Sequence, residues 1–296
     1  MPGQVLFRGS AVALVTPFRD GKVDVPAIER LVHFQVENGT AAIIACGTTG
    51  EPTTMTMEER ETVVRTVVRA VENRVPVVAG TGSNCTQTVI DTANRYRDIG
   101  CAAQLVVTPY YNKTTPEGLY RHFMEIAENT ELPIMIYNVP SRTAMDISFE
   151  VLERLMACEK FIAVKESSYD VPGILMKTAC MDRAALYSGN DDMVVPLMAL
   201  GAQGVISVAA NALPKQMAGM VNSYLCGDHA AALAWQVRLM PVIRALFAEV
   251  SPIPCKAAME MMGLCGGELR LPLVPAGNAV REQLKAALTA LEVPLS

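Results

Sequence analysis

The chain has 296 residues, half of them hydrophobic and a fifth charged, enough apolar material for a large core and too little charge for disorder. Its formal net charge of −5, with a sequence pI near 5.4, offers no basic footprint for nucleic acid or an anionic membrane. Eight cysteines without a CxxC pair, most among apolar neighbours, suit reduced and buried thiols better than a disulfide framework or a zinc site. No basic region precedes a signal-length apolar core, and the run at 11–15 is too short to span a bilayer. A soluble cytoplasmic protein is expected.

Taken in order, residues 11–15 read as a strand closed by Thr16-Pro17-Phe18. Asp24 can cap a helix through Val36, with Pro26 acceptable in its first turn and Asn38-Gly39 as its stop. A second strand at 41–45 runs into Cys46-Gly47-Thr48-Thr49-Gly50-Glu51, and Thr56 with Glu59 forms a capping box for a helix to about Glu72. A third strand at 75–79 is followed by a helix at 86–99. A fourth at 104–107 ends in Thr108-Pro109-Tyr110-Tyr111, and Pro116 opens the next helix. A fifth strand at 133–136 ends in Tyr137-Asn138-Val139-Pro140, before a helix at about 148–157. Further strands are expected at 161–165, 184–187 and 205–208. This alternation, with short connections, is the pattern of an α/β (β/α)8 barrel. Beyond Pro214 only helices are expected, at about 216–224, 228–247, 254–262 and 278–291. The barrel is assigned residues 1–225 and a C-terminal helical extension 226–296.

The sixth strand, Phe161-Ile162-Ala163-Val164, runs straight into Lys165. A continuous apolar run suits a strand buried on both faces. A lysine stem in such surroundings disfavours the ammonium form, and a neutral amine is what Schiff-base chemistry with a ketone needs. Strand alternation turns Glu166 to the other face. On this stretch alone the plainer reading is a lysine that snorkels to solvent. The other strand ends change the balance. A barrel of this kind carries its active site where the strand C-termini open. There this chain places Thr16, Thr48, Thr49, Tyr111, Tyr137, Arg142, Lys165, Gly189 and Ser207. Each has a plain alternative: helix caps for the threonines, half-buried bodies for the tyrosines, a surface position for Arg142. All of these would have to hold together to remove the functional reading.

His33, His122 and His229 fall on expected helices and are taken as solvated, so Ser–His and His–metal schemes are disfavoured. An acidic Asn190-Asp191-Asp192 loop follows the seventh strand, where phosphate-binding barrels place glycines. That disfavours a phosphorylated substrate or pyridoxal phosphate, and neither cofactor nor metal is expected.

At these residues the chain resembles the pyruvate-dependent, Schiff-base class I aldolases of the N-acetylneuraminate lyase family. The matching motifs are Gly47-Thr48-Thr49-Gly50-Glu51, Pro109-Tyr110-Tyr111-Asn112, Tyr137-Asn138-Val139-Pro140-Ser141-Arg142, Val164-Lys165-Glu166, Gly204-Val205-Ile206-Ser207 and Ser251-Pro252-Ile253-Pro254. They span nearly the whole chain in the family's order. Arg142 and Thr49 point to the branch that condenses pyruvate with L-aspartate 4-semialdehyde, in lysine and diaminopimelate biosynthesis, rather than to a sialic-acid lyase.

The resemblance implies that Lys165 forms an imine with pyruvate and that Tyr137 shuttles protons. It implies a hydroxyl relay from Tyr137 through Thr48 to Tyr111, and a pyruvate carboxylate held by the N–H groups of the Thr48-Thr49 turn. Arg142 would clamp the second substrate, Gly189 would leave room for substrate, and the Ile206 carbonyl would face the site. It further implies that Tyr111 reaches a neighbouring subunit's site, in a homotetramer of tight dimers. In lysine-inhibited members a glutamate meets the lysine ammonium. The matching position here is Thr88, with Arg60 nearby, so lysine inhibition is expected to be absent. Two alternatives stay open: another pyruvate-dependent aldolase or lyase acting on a sugar acid or hydroxy acid, and a non-catalytic metabolite-binding barrel.

Overall fold

The computed structural model describes residues 5–296. Eight parallel strands close into a ring: β1 (Gly9–Ala13), β2 (Ala42–Ala45), β3 (Val77–Gly80), β4 (Ala103–Val107), β5 (Ile134–Asn138), β6 (Phe161–Glu166), β7 (Ala185–Ser188) and β8 (Gly204–Ser207). Each pairs with the next, and β1 pairs with both β2 and β8. The strands are almost wholly buried because both faces are covered. Successive residues point alternately into the barrel and out toward the helices. Ala13, Ile44, Val78, Leu105, Met135, Ala163 and Ile206 fill the interior, while Val12, Ile43, Val106, Ile136, Val164 and Val205 join the outer core. Phe7, just before β1, stacks on the interior Tyr187 at 4.3 Å between centroids and accepts its hydroxyl hydrogen bond at 2.6 Å.

The covering helices are α1 (Val25–Glu37), α2 (Met57–Val71), α3 (Thr86–Ile99), α4 (Pro116–Asn129), α5 (Phe149–Met156), α6 (Val171–Thr178), α7 (Val194–Ala199) and α8 (Pro214–Leu225). Their starts follow the sequence signals. Asp24 accepts from Ala27 N, Thr56 and Glu59 form the capping box, and Pro116 sits in the first turn of α4. Beyond α8 lie α9 (His229–Leu246), α10 (Ile253–Met261) and α11 (Asn278–Ala290), with α9 packed on α8 and on both later helices. The first four residues of the expected 1–225 barrel lie outside the described residues.

Three features depart from the sequence reading. A two-stranded hairpin pairs Phe18–Arg19 with Lys22–Val23, turned by Asp20 and Gly21 at φ 53° and 74°. Asp-Gly is a strong hairpin signal, which the reading passed over. Helices α6 and α7 carry no clear bounds in the sequence, since Pro172-Gly173 in one and Pro196 in the other read as breakers. The eight cysteines are all free, but only Cys46, Cys101 and Cys255 are buried; Cys85 and Cys226 are exposed. Among the described residues no helix is long and apolar enough to cross a membrane, and no cluster of three or more His, Cys, Asp or Glu could hold a metal ion.

Candidate active site

Strand phase decides which side chains enter the barrel mouth. Ala163 and Met135 point inward, so two residues on Lys165 and Tyr137 point inward as well, now at the C-terminal ends of β6 and β5. The register sets Tyr137 beside Lys165 on the adjacent strand. Lys165 is 5 % exposed and its Nζ lies 4.2 Å from the centre of the Tyr137 ring.

The residues that follow each of these, Asn138 and Glu166, are also register partners, and they face outward. Asn138 Nδ2 donates to both Glu166 oxygens, at 2.8 and 3.0 Å, and to Asp146 Oδ1 at 2.6 Å. Lys177 Nζ, from α6, completes this outer cluster at 2.8 Å from Asp146 and 3.5 Å from Glu166. Glu166 is thereby occupied away from Lys165.

Three lysines are buried: Lys165, Lys177 and Lys256. Lys177 has the two carboxylates just named, and Lys256 is paired with Glu51 at 2.5 Å. Lys165 makes no ion pair among the described residues. A buried amine with no carboxylate at ion-pair distance, and only the longer-range attraction of Asp191, is the one of the three free to act as a nucleophile.

Gly189 ends the turn after β7 against this lysine. A Cβ there would fall 2.0 Å from Ser167 Oγ and 3.0 Å from Lys165 Cε, so the missing side chain makes room first for the Ser167 hydroxyl and then for the lysine's own stem. The acidic loop expected at 190–192 is not a loose one. Asp191 is 2 % exposed, and its Oδ2 accepts from Val208 N at 3.1 Å and Ala209 N at 2.8 Å. Burial pushes its carboxyl above the usual range, against the pull of the Ser207 hydroxyl, these N–H groups and the charge of Lys165.

A cavity of about 300 Å³ opens beside Tyr137 and is also lined by Thr48, Tyr110 and Arg142. Thr48–Gly50 form a single 3-10 turn, whose first N–H groups have no partner within the turn. Thr49 is buried and Thr48 exposed. Gly80 lets β3 pass the end of β2, since a Cβ there would lie 2.2 Å from Cys46 O. Arg142 lies on a one-turn helix, Pro140–Thr143, and its Nη2 donates to Ser251 O at 3.3 Å.

Thr48, Tyr137 and Arg142 thus share one cavity, with Lys165 behind the Tyr137 ring. Tyr111 is elsewhere. It is 93 % exposed at φ 70° and does not line the cavity, and no hydrogen bond joins Thr48 to either tyrosine within the chain. Ile206 sits fully buried in the barrel interior. Thr16 donates to Gly50 O at 2.7 Å and braces the turn rather than capping a helix.

The histidines are on helices, as expected, but not all are solvated. His122 is 7 % exposed and its Nδ1 meets Thr86 Oγ1 at 2.9 Å. Two arrangements went unread: the Asn138–Glu166–Lys177 cluster and the Glu51–Lys256 pair. The first was accessible, since whatever follows an inward strand-end residue must face outward. The second had only a weak sign, a lysine inside the apolar run Ile253-Pro254-Cys255-Lys256-Ala257-Ala258-Met259.

Comparison with known proteins follows the same lines. The model of the dihydrodipicolinate synthetase family matches residues 6–291. A 4-hydroxy-tetrahydrodipicolinate synthase of Clostridium novyi (strain NT) is 48 % identical over 284 residues, covering 96 % of each chain. The crystal structure of dihydrodipicolinate synthase from Aquifex aeolicus superposes with a TM-score of 0.96 at 41 % identity, covering 98 % of this chain and 100 % of that one. The chloride-inhibited dihydrodipicolinate synthase of Acinetobacter baumannii, complexed with pyruvate, gives 0.94 at 41 % identity, covering 97 % and 99 %.

Proposed function

The chain belongs to the dihydrodipicolinate synthetase family, and from that we infer a lyase that condenses pyruvate with L-aspartate 4-semialdehyde through a Schiff base on Lys165, giving 4-hydroxy-tetrahydrodipicolinate. The observation that carries the assignment of the nucleophile is the isolation of Lys165: of three buried lysines it alone lacks a carboxylate partner among the described residues.

The Lys165 amine adds to the ketone carbon of pyruvate, and loss of water leaves the imine. The imine draws electrons from the methyl group, which gives up a proton and becomes an enamine carbon. That carbon bonds to the aldehyde carbon of the second substrate, whose oxygen takes a proton. The substrate's own amino group then adds to the imine carbon and displaces Lys165, closing the ring and freeing the enzyme. Tyr137, with its ring 4.2 Å from the lysine nitrogen, carries the protons. The N–H groups of the Thr48-Thr49 turn hold the pyruvate carboxylate. Arg142, exposed at the cavity rim, takes the carboxylate of the second substrate in its planar fork. Gly189 leaves room beside the Lys165 stem, and the Ile206 carbonyl faces the site.

The Tyr111 relay fits an oligomer better than a lone chain. Tyr111 projects from its loop almost fully exposed, and a partner chain placed there would receive it into its own site. Val171, Leu175 and Met176 on α6, with Leu233 and Val237 on α9, add exposed apolar side chains of the kind that subunit contacts cover. We take the working unit as a tight dimer, doubled to a tetramer, with the 226–296 helices as an extension of each barrel.

The test is covalent. Pyruvate and borohydride together should leave a stable adduct on Lys165 and on neither Lys177 nor Lys256. A label on another lysine, or none, refutes the assignment.

A further inference from the structure

The turn that carries Thr48 and Thr49 ends at Glu51, whose backbone is left-handed (φ 53°, ψ 42°). A residue with a side chain adopts that conformation at a cost, so its surroundings must hold it there. The C-terminal extension does so. Glu51 is 3 % exposed; its Oε1 lies 2.5 Å from Lys256 Nζ on α10, and its Oε2 accepts from Arg270 N at 3.3 Å. Lys256 is wholly buried, donates to Glu268 O at 2.8 Å, and rests 4.2 Å from the centre of the Phe18 ring. The Arg270 guanidinium grips the stretch that follows, donating to Glu59 at 2.7 and 2.6 Å and to Thr54 O at 2.9 Å. Two residues of the extension, Lys256 and Arg270, thus hold the outer side of the turn, while its inner side opens on the cavity.

We propose that Glu51 and Lys256 are a positioning pair, through which the C-terminal extension aims the Thr48-Thr49 backbone at the pyruvate carboxylate. This rests on the carboxylate-holding reading of that turn given above. A buried ion pair is a poor source of net stability, because desolvation takes back most of the attraction; its clearest yield is a fixed geometry. Lys256 is not a second nucleophile. Its nitrogen is held by the Glu51 carboxylate and the Glu268 carbonyl, on the side of the turn away from the cavity. Burial pulls its ammonium below the usual range, and the Glu51 carboxylate opposes that pull.

A positioning role differs from a structural one in which kinetic quantity moves. The N–H groups of the turn meet the carboxylate of pyruvate, and its one proton-carrying group, the Thr48 hydroxyl, acts only through Tyr137. Losing its aim should therefore weaken pyruvate capture more than it slows turnover at saturation. Lys256→Met alone would strand a charged Glu51 in the interior, so the informative variant is the double Glu51→Gln/Lys256→Met, which removes both charges. Glu51→Gln alone would likewise leave the buried Lys256 ammonium without its counter-ion, so neither single variant replaces the double one. Borohydride trapping on Lys165 is read against pyruvate concentration, beside steady-state kinetics in both substrates and a urea melt to show that each variant is folded. We expect the pyruvate half-saturation of the double variant to rise about tenfold or more, with kcat and the KM for the aldehyde within about threefold of wild type. An unchanged pyruvate half-saturation, or equal losses for both substrates, in a folded variant overturns the pair's role and leaves the site reading standing. If wild type itself takes no label at Lys165, the site reading falls and this inference falls with it.

Discussion

His122 shows how much a single buried side chain depends on its surroundings. It lies on α4 with one ring nitrogen on Thr86, and burial pulls its imidazole down from 6.5 to about 4. The unfolded chain takes up a proton near the ordinary value, while the folded chain resists until the lower one. Stability should therefore be level above about pH 6.5, fall as pH drops toward 4, and level off below that. The loss is about 2 kcal/mol at pH 5, and roughly 3 at its limit. His122→Gln keeps a polar contact with Thr86 and cannot ionise. Between pH 7.5 and 5 its urea midpoint should fall less than that of wild type. Identical shifts in the two proteins would show that His122 does not set the acid limit. Gly189 is the opposite case, a residue that matters through what it lacks, since any Cβ would collide with Ser167 and crowd the Lys165 stem.

At the scale of the element, β5 and β6 act as one unit. Their paired ends carry Tyr137 and Lys165 into the mouth and Asn138 and Glu166 to the back, so the rear hydrogen bonds fix the front spacing. Asn138→Ala removes every donor that Asn138 supplies and leaves Glu166 with Lys177 at 3.5 Å and Ser168 N at 2.8 Å. A partly satisfied buried carboxylate should cost about 2–3 kcal/mol of stability. Turnover should fall by on the order of tenfold as the Tyr137–Lys165 geometry loosens. Lost stability with full turnover would mark the cluster as structural only. Much at this scale was legible in the sequence. Asp24, Thr56 and Pro116 announce their helices because caps are local chemistry. Helices α6 and α7 escaped because Pro172-Gly173 and Pro196 blur their local signal, leaving their form to the neighbours they pack on.

At the scale of the whole molecule, the cavity continues from the catalytic mouth toward Thr53, Arg60, Thr88 and Tyr110. Arg60 makes no ion pair among the described residues, and no carboxylate lines this end. Glu51 adjoins the cavity-lining Pro52 and Thr53 in the sequence, but it is committed to Lys256 on the far side of the turn. An amino acid with a second ammonium would find like charge here and no counter-ion, a costly placement once desolvated. Lysine titrated into a coupled assay with pyruvate and aspartate semialdehyde should leave the rate unchanged through the millimolar range. Clear inhibition below about 1 mM, a binding energy of roughly 4 kcal/mol, would sink the prediction.

The amino-acid sequence by itself determined the barrel, because eight buried apolar runs separated by capped amphipathic stretches have few other ways to hide their faces. It also determined which residues stand at the strand ends, since alternation along a strand is a local rule that survives any packing. Only the tertiary structure decided which of three buried lysines stands without an ion pair among the described residues. That depends on Asp146, Glu166 and Glu51, of which only Glu166 lies near Lys165 in the sequence. It alone joined Glu51 to Lys256, some two hundred positions apart, because a charge pair excluded from water is set by where two distant elements meet. It likewise set Tyr111 outside its own cavity, where loop geometry rather than strand phase rules. Local periodicity and capping are written residue by residue; burial and partnership belong to the folded whole.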